Sequence, residues 1–228
     1  MRQHQLSRRA VLQQGLLLGV GGWAAALAGC SSADNPRPAA NTTATPTGRD
    51  TTTANRILLA YFSRPGENYY YGGRRDLQVG NTEVLARMVA ELIDCDVYRI
   101  DAADPYPASY DVTVARNVRE QNADARPAIA NPLASIEPYD AVLLGSPIWN
   151  VRPPMIMTTF TEGRDFTGKT VHPFVTYAVS GLGSTERDYT ASCRWARIAP
   201  GLAVRGEEVA QHRAEVETWL REAGLDTT

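Results

Sequence analysis

Short apolar runs, each only long enough for a strand and each separated from the next by helix-patterned sequence, constrain this chain more than any other feature. Ile57 to Phe62 (ILLAYF), Cys95 to Ile100 (CDVYRI), Ala141 to Gly145 (AVLLG) and Val171 to Val179 (VHPFVTYAV) are the four clear ones, and Leu202 to Val204 is a weaker fifth. A run that stays apolar instead of alternating belongs to a strand covered on both faces, as in parallel sheets. In between, Val84, Leu85, Met88, Val89 and Leu92 recur at helical spacing behind a candidate cap at Asn81 or Thr82. Tyr110 to Val118 reads as a helix with Tyr110, Val114 and Val118 on one face. Met155 to Phe160 follows Pro153 and Pro154 as a short helix, Thr185 to Trp195 as another, and Glu207 to Ala223 closes the chain with Val209, Val216, Trp219 and Leu220 inward. Strands interleaved with helices require right-handed crossovers. The expected fold is an α/β, doubly wound, five-stranded parallel sheet with helices on both faces.

That domain should occupy residues 55–225, because what precedes it has a different character. Residues 1–29 carry Arg2, Arg8 and Arg9 but no acid, then an apolar stretch from Val11 to Ala28, and end just before Cys30. Such an order of basic, apolar and small residues is that of a secretory signal peptide. Ser7-Arg8-Arg9-Ala10-Val11-Leu12-Gln13 resembles a twin-arginine export signal, and Leu27-Ala28-Gly29-Cys30 resembles the bacterial lipobox, which makes Cys30 the expected lipidation site. An uncleaved membrane anchor is the alternative, weakened by Gln13, Gln14 and the glycines. Residues 30–54 are Ser, Thr, Pro, Asn and Ala with almost no large apolar side chain, as expected of a lipidated N-terminus followed by a disordered linker. An exported, membrane-anchored lipoprotein facing periplasm or cell exterior is the implied location.

Charge narrows the partners. The chain has 23 basic and 25 acidic residues, net -2, and loss of three arginines with the signal takes the mature protein to -5. There is no footprint for nucleic acid in that balance. The chain has 228 residues, and the part left for folding is one ordinary domain.

In open parallel sheets the ligand lies beyond the carboxyl ends of the strands. Three loops reach that edge. The first opens on Ser63-Arg64 and ends on Gly80-Asn81-Thr82 at a helix start, where unpaired N–H groups, two hydroxyls and an arginine suit a phosphate. The second, Ser146-Pro147-Ile148-Trp149-Asn150, holds a tryptophan able to stack on a planar ring or to pack beneath its own loop. In the third, Ser180-Gly181-Leu182-Gly183, the glycines allow backbone to approach a flat ligand.

AYFSR, GNTE, LLGSPIWN and FTGKTVHPFVTYAVSGLGSTERD together resemble the flavodoxin family, over nearly all of residues 56–223. The resemblance implies the strand order 2-1-3-4-5, with FMN at the carboxyl edge. Carried over by position, Ser63, Arg64, Gly80, Asn81 and Thr82 hold its phosphate. Pro147, Ile148, Trp149 and Asn150 line the isoalloxazine, and Thr176, Ser180 and Gly181 close over it. One departure stands out. The compact phosphate loop of the family is split here by Pro65 to Val79, including Tyr69-Tyr70-Tyr71-Gly72-Gly73-Arg74-Arg75, so that an expected hydroxyl is replaced or displaced. The insertion is either a lid over the flavin or a surface excursion. The implied activity is electron transfer with a redox partner protein or small electron acceptor, which needs no catalytic acid, base or nucleophile. A nicotinamide-dependent FMN reductase acting on quinones, and a flavin-free interaction module of the same fold, are the alternatives.

Other motifs compete poorly. Gly163 to Thr170 (GRDFTGKT) matches the nucleotide-binding P-loop pattern, but a strand follows it where the mechanism needs a helix. Gly181-Leu182-Gly183 lacks the third glycine of a dinucleotide fingerprint, and Ser180 lacks the flanking glycines of a hydrolase elbow. Neither His172 nor His212 has a metal-binding partner in the sequence. Cys95 and Cys193 are expected as two separate thiols, because the inferred topology puts them far apart.

Overall fold

A computed structural model describes residues 56–225 of the protein. The signal peptide, Cys30 and the linker of the sequence reading lie outside these residues. Among the described residues no helix is long and apolar enough to cross a membrane.

The chain runs β1 (Ile57–Tyr61), β2 (Gly66–Tyr70), β3 (Gly73–Leu77), α1 (Asn81–Leu92), β4 (Asp96–Arg99), α2 (Tyr110–Asn122), β5 (Ala141–Pro147) and α3 (Met155–Glu162). It continues through β6 (Thr170–Tyr177), α4 (Thr185–Ser192), β7 (Arg197–Ile198), β8 (Leu202–Arg205), a 3-10 turn at Gly206–Gln211 and α5 (Arg213–Glu222). The main sheet has the order β4-β1-β5-β6-β7, all neighbours parallel, with β8 also paired to β6. Counting the β7 and β8 position once, this is the 2-1-3-4-5 order of the sequence reading.

Alternate residues of the central strands serve opposite layers. Leu59 and Leu143 face a core shared with Leu85 and Val89 of α1 and Val216 and Leu220 of α5. Leu58, Val142 and Leu144 face the other core, with Ile156 and Phe160 of α3 and Tyr189 of α4. Each of these leucines is fully buried, worth about 2 kcal/mol of transfer free energy, which is why β1 and β5 tolerate no polar alternation. Cys95 packs on the first core and Cys193 lies in the second, so the sheet separates the two free thiols.

Several expectations need correction. The first helix has Gly80, not Asn81 or Thr82, at its cap position, without a side-chain cap bond. Residues 63–82 are not one loop, since β2 and β3 form an antiparallel hairpin inside them. The closing helix is broken at His212 into a 3-10 turn and α5. On α2 the residues turned inward are Thr113 and Asn117, while Val114 and Val118 are about 40% exposed. The fifth strand position is occupied twice: β7 pairs with Thr170 and Val171, and β8 pairs with Phe174 to Tyr177. Pro173 explains the gap. By the two-residue alternation set by Val171, whose carbonyl accepts the Ala199 N–H, position 173 faces this edge, and proline has no N–H to offer it.

Candidate functional site

The carboxyl ends of β1, β5 and β6 open into a cavity of about 330 Å³, inside the range of cofactor sites. Nine of the twelve residues singled out in the sequence line it: Ser63 and Arg64 after β1, Asn81 and Thr82 at the start of α1, Pro147 to Asn150 after β5, and Thr176 in β6. The other three stand outside. Gly80 is behind the wall, where a Cβ would lie 2.4 Å from Ser63 Oγ and 2.5 Å from the Arg64 carbonyl oxygen. Only a residue without a side chain lets the helix start this close to β1. Ser180 and Gly181 belong to a turn packed on the second loop: the Gly183 N–H donates to the Ser180 carbonyl at 3.0 Å, and the Ser184 N–H to the Val151 carbonyl at 2.8 Å.

One end of the cavity is rich in donors. The Glu83 N–H is satisfied by Ser63 Oγ at 3.0 Å, and the Val84 N–H by the Gly80 carbonyl. The Asn81 and Thr82 N–H groups have no acceptor among the described residues, as expected for the first turn of a helix. The buried hydroxyls of Thr82 and Thr176 meet at 2.7 Å. Arg64, only 7% exposed, brings the positive charge, but not through a free fork. Its Nη1 donates to the carbonyls of Pro107 (2.9 Å) and Ala108 (3.0 Å), its Nη2 to that of Glu67, and only Nε keeps no partner. Burial holds its pKa below the ordinary arginine value, with Glu67 acting the other way.

The other end is apolar and aromatic. Trp149 packs edge-on against Phe62 (5.7 Å between ring centroids) and Tyr106 (5.1 Å) while it lines the cavity. Its carbonyl accepts the Gln121 side-chain amide at 3.1 Å, and Asn150 donates to Gln121 Oε1 at 2.8 Å. Asn150 and Val151, at φ of 49° and 62°, make the tight turn that holds the tryptophan there. Tyr110, Val114 and Val118 of α2 form the facing wall. Their stripe was legible as a helix face, but the sequence had no signal that it serves the cavity instead of the core.

The hairpin β2–β3 closes a further side, through Asn68 and Tyr69. At its base the Tyr110 N–H donates to Glu67 Oε2 (3.0 Å) and the Glu67 N–H to the Ala108 carbonyl (2.8 Å), while Arg74, paired with Tyr69 beside the tip, places its guanidinium 3.6 Å from the Tyr110 ring centroid and 3.2 Å from Asp111. At its tip the Tyr71 N–H donates to Glu207 Oε1 (3.2 Å) and the Tyr71 hydroxyl to Glu208 Oε1 (2.9 Å). The insertion therefore spans the mouth from α2 to the 3-10 turn. Glu207, which also lines the cavity, had escaped the sequence reading.

A family model for flavodoxin matches residues 76–223, more than half of the chain. The chain belongs to the flavodoxin family. Two solved structures from Bacteroides, both of proteins classed as flavoproteins, are similar over their whole length. The one from Bacteroides uniformis is 29% identical, with 73% of this chain and 98% of that chain covered and a TM-score of 0.58. The one from Bacteroides eggerthii is 27% identical, with 75% and 99% covered and a TM-score of 0.60. A more distant likeness is a flavoprotein in complex with FMN from Lactobacillus acidophilus, at 18% identity, 69% and 98% coverage and a TM-score of 0.49. No curated protein matches. In this flavodoxin-family chain the P-loop-like Lys169 is spent elsewhere: its Nζ donates to the Tyr139 carbonyl at 2.6 Å at the opposite, amino edge of the sheet. Among the residues lining the cavity there is no histidine, cysteine or lysine, and the carboxylate present is that of Glu207.

Proposed function

We propose that the cavity holds FMN and that the protein is an electron-transfer flavodoxin, exported and carried on a membrane by lipid at Cys30. One observation carries the first part: a single cavity is donor-rich at one end and aromatic at the other, the complement of a phosphorylated flat ring. Ser63, Asn81 and Thr82 would hold the phosphate end, with the charge of Arg64 beneath it; Thr176, which the resemblance put over the ring, would join them, because its hydroxyl meets that of Thr82. Trp149, Pro147, Ile148 and the valines of α2 would hold the ring. Flavin supplies one- and two-electron chemistry when bound. The protein's own part is to position it and keep water off. An apolar wall makes added negative charge on the ring costly and so lowers the potential of the last electron. Electron transfer to a redox partner protein or small acceptor asks only position and electrostatics of the lining, since the flavin carries the chemistry.

The test is the full chain purified in detergent. Oxidised-flavin absorption in the visible, with FMN released on denaturation, is the expected result; a colourless protein that takes up no added FMN leaves the interaction-module reading standing. Rapid reaction with nicotinamide donors would favour the reductase instead. Export and anchoring rest on Arg8-Arg9 and Leu27 to Cys30. Labelled fatty acid should appear on the wild-type chain and be absent from Cys30→Ala; equal labelling of both would remove this part.

A further inference from the structure

Trp195 is the most exposed large apolar side chain among the described residues, 82% bare. It sits in a four-residue turn just after α4, where the Ala196 N–H donates to the Cys193 carbonyl at 3.2 Å, and its φ is 64°. A third turn residue with positive φ is a glycine position, and a large side chain there is held against its backbone preference. The fold does not need an indole in this place. The turn is tied to the loop before β6 by backbone alone, the Trp195 carbonyl accepting the Gly168 N–H at 3.3 Å. A lone bare apolar residue is ordinary on a protein surface, but one kept on strained backbone, where glycine would remove both costs, calls for a partner.

The neighbouring charges and the edge on which the turn stands select that partner. Arg194 and Arg197 flank Trp195 and are exposed. Glu162, the acid near enough to feel Arg194, is paired with Arg126. Asp165 is the other acid of the adjoining loop, and it is offset there by Arg164, whose guanidinium rests on the Gly163 and Leu133 carbonyls. An indole between guanidinium groups suits the headgroup region of an anionic bilayer, where the ring lies at the apolar boundary and the cations meet phosphates. The anchored segment enters by the same edge. Ile57, Ala141, Thr170 and Arg197 stand in one row across the amino ends of β1, β5, β6 and β7. Three strand spacings, about 14 Å, therefore separate the start of β1 from Arg197. We infer that the Trp195 turn, with Arg194 and Arg197, seats the amino edge of the sheet on the anionic lipid surface that holds the anchor. The eight residues of β6 then set the cavity mouth roughly 25 Å from the headgroups, open to the aqueous side. The inference rests on the anchoring proposed above.

The test reads tryptophan emission from the full chain, purified in detergent and reconstituted into vesicles of phosphatidylcholine and phosphatidylglycerol, two to one, with and without bromine on the acyl chains near the headgroups. The difference between wild type and Trp195→Phe isolates Trp195 from the other tryptophans. That difference should be blue-shifted and should lose most of its intensity to the brominated lipid. The loss should be several-fold smaller in the double variant Arg194→Gln, Arg197→Gln and on phosphatidylcholine alone. A Trp195 signal untouched by bromine, in chain that floats with the vesicles, would overturn the inference and leave the anchor standing. A blue shift that grows with protein density and ignores bromine would assign Trp195 to a protein contact and overturn it as well. Equal quenching on the two lipid compositions would overturn the choice of an anionic surface. Failure of the wild-type chain to float with the vesicles would instead sink the anchor reading, and this one with it.

Discussion

At Gly80 the start of α1 and the end of β1 are pressed together with no room for a methyl group. Two backbone segments and Ser63 would have to move for Gly80→Ala to fit, and Ser63 is the residue that caps the Glu83 N–H. We expect that substitution to cost about 1–3 kcal/mol in urea unfolding, the range for overpacking a close contact. It should also weaken FMN binding, because the Asn81 and Thr82 N–H groups shift with the helix. Unchanged stability and affinity together would mean that the contact relaxes freely. The resemblance singled Gly80 out as a phosphate contact, whereas the structure uses it as the close approach that brings the first N–H groups of α1 to the cavity. What could not be read was which groups remain free. Arg64 looked like a phosphate clamp, yet its guanidinium is taken by the carbonyls of Pro107, Ala108 and Glu67, which lie up to 44 residues away along the chain.

Among the elements, the hairpin is the least predictable and the most telling. Neither of its strands, GENYY and GRRDL, has an apolar alternation, and a two-stranded ribbon is marginal in water on its own. Its stability comes from remote partners, Tyr110 and Asp111 below and Glu207 and Glu208 above, so local sequence said only that an insertion exists. The Arg74–Tyr110 stack ties the tip-side half of the hairpin to α2. Arg74→Ala should raise amide exchange across Gly66 to Leu77 several-fold and speed FMN release by a similar factor, while leaving the exchange of β1 and β5 untouched. Exchange unchanged in the hairpin would show that the ties of Glu67 below and Tyr71 above hold it without the stack. Helix α2 shows a different limit. The period of its valines was readable, but an apolar face turned to a cavity and one turned to the core have the same pattern.

For the molecule as a whole, the parallel sheet covered on both faces followed from the strand runs, because double-sided burial leaves a composition that loops and amphipathic helices do not share, whereas the strand order came from the resemblance to the flavodoxin family. One consequence concerns acid. His172, 3% exposed, sits in β6 near Trp219 with no partner for Nδ1. Burial, with a lesser push from Arg197, lowers its pKa from 6.5 to about 4. Between those values the unfolded chain binds a proton that the folded protein refuses, so stability rises with pH there and falls as acid is added, by roughly 3 kcal/mol across the interval. His172→Leu should flatten urea midpoints between pH 6.5 and 4; a slope equal to wild type would assign the loss to other groups. The thiols, by contrast, should stay silent, since burial raises Cys193 to about 12 and Cys95 to about 11.

The two-piece fifth position has a use beyond accommodating Pro173. A neighbouring polypeptide can extend a sheet only where it meets a row of unpaired main-chain groups long enough to zip along. On the β7 and β8 side that row is two residues, a step, and four residues, too ragged to template an added strand. The other border of the main sheet, the four residues of β4 with Val97 half bare, is unpaired among the described residues. Within the main sheet of the described residues, crowded copies of this protein would therefore meet through β4 and not through β7 and β8.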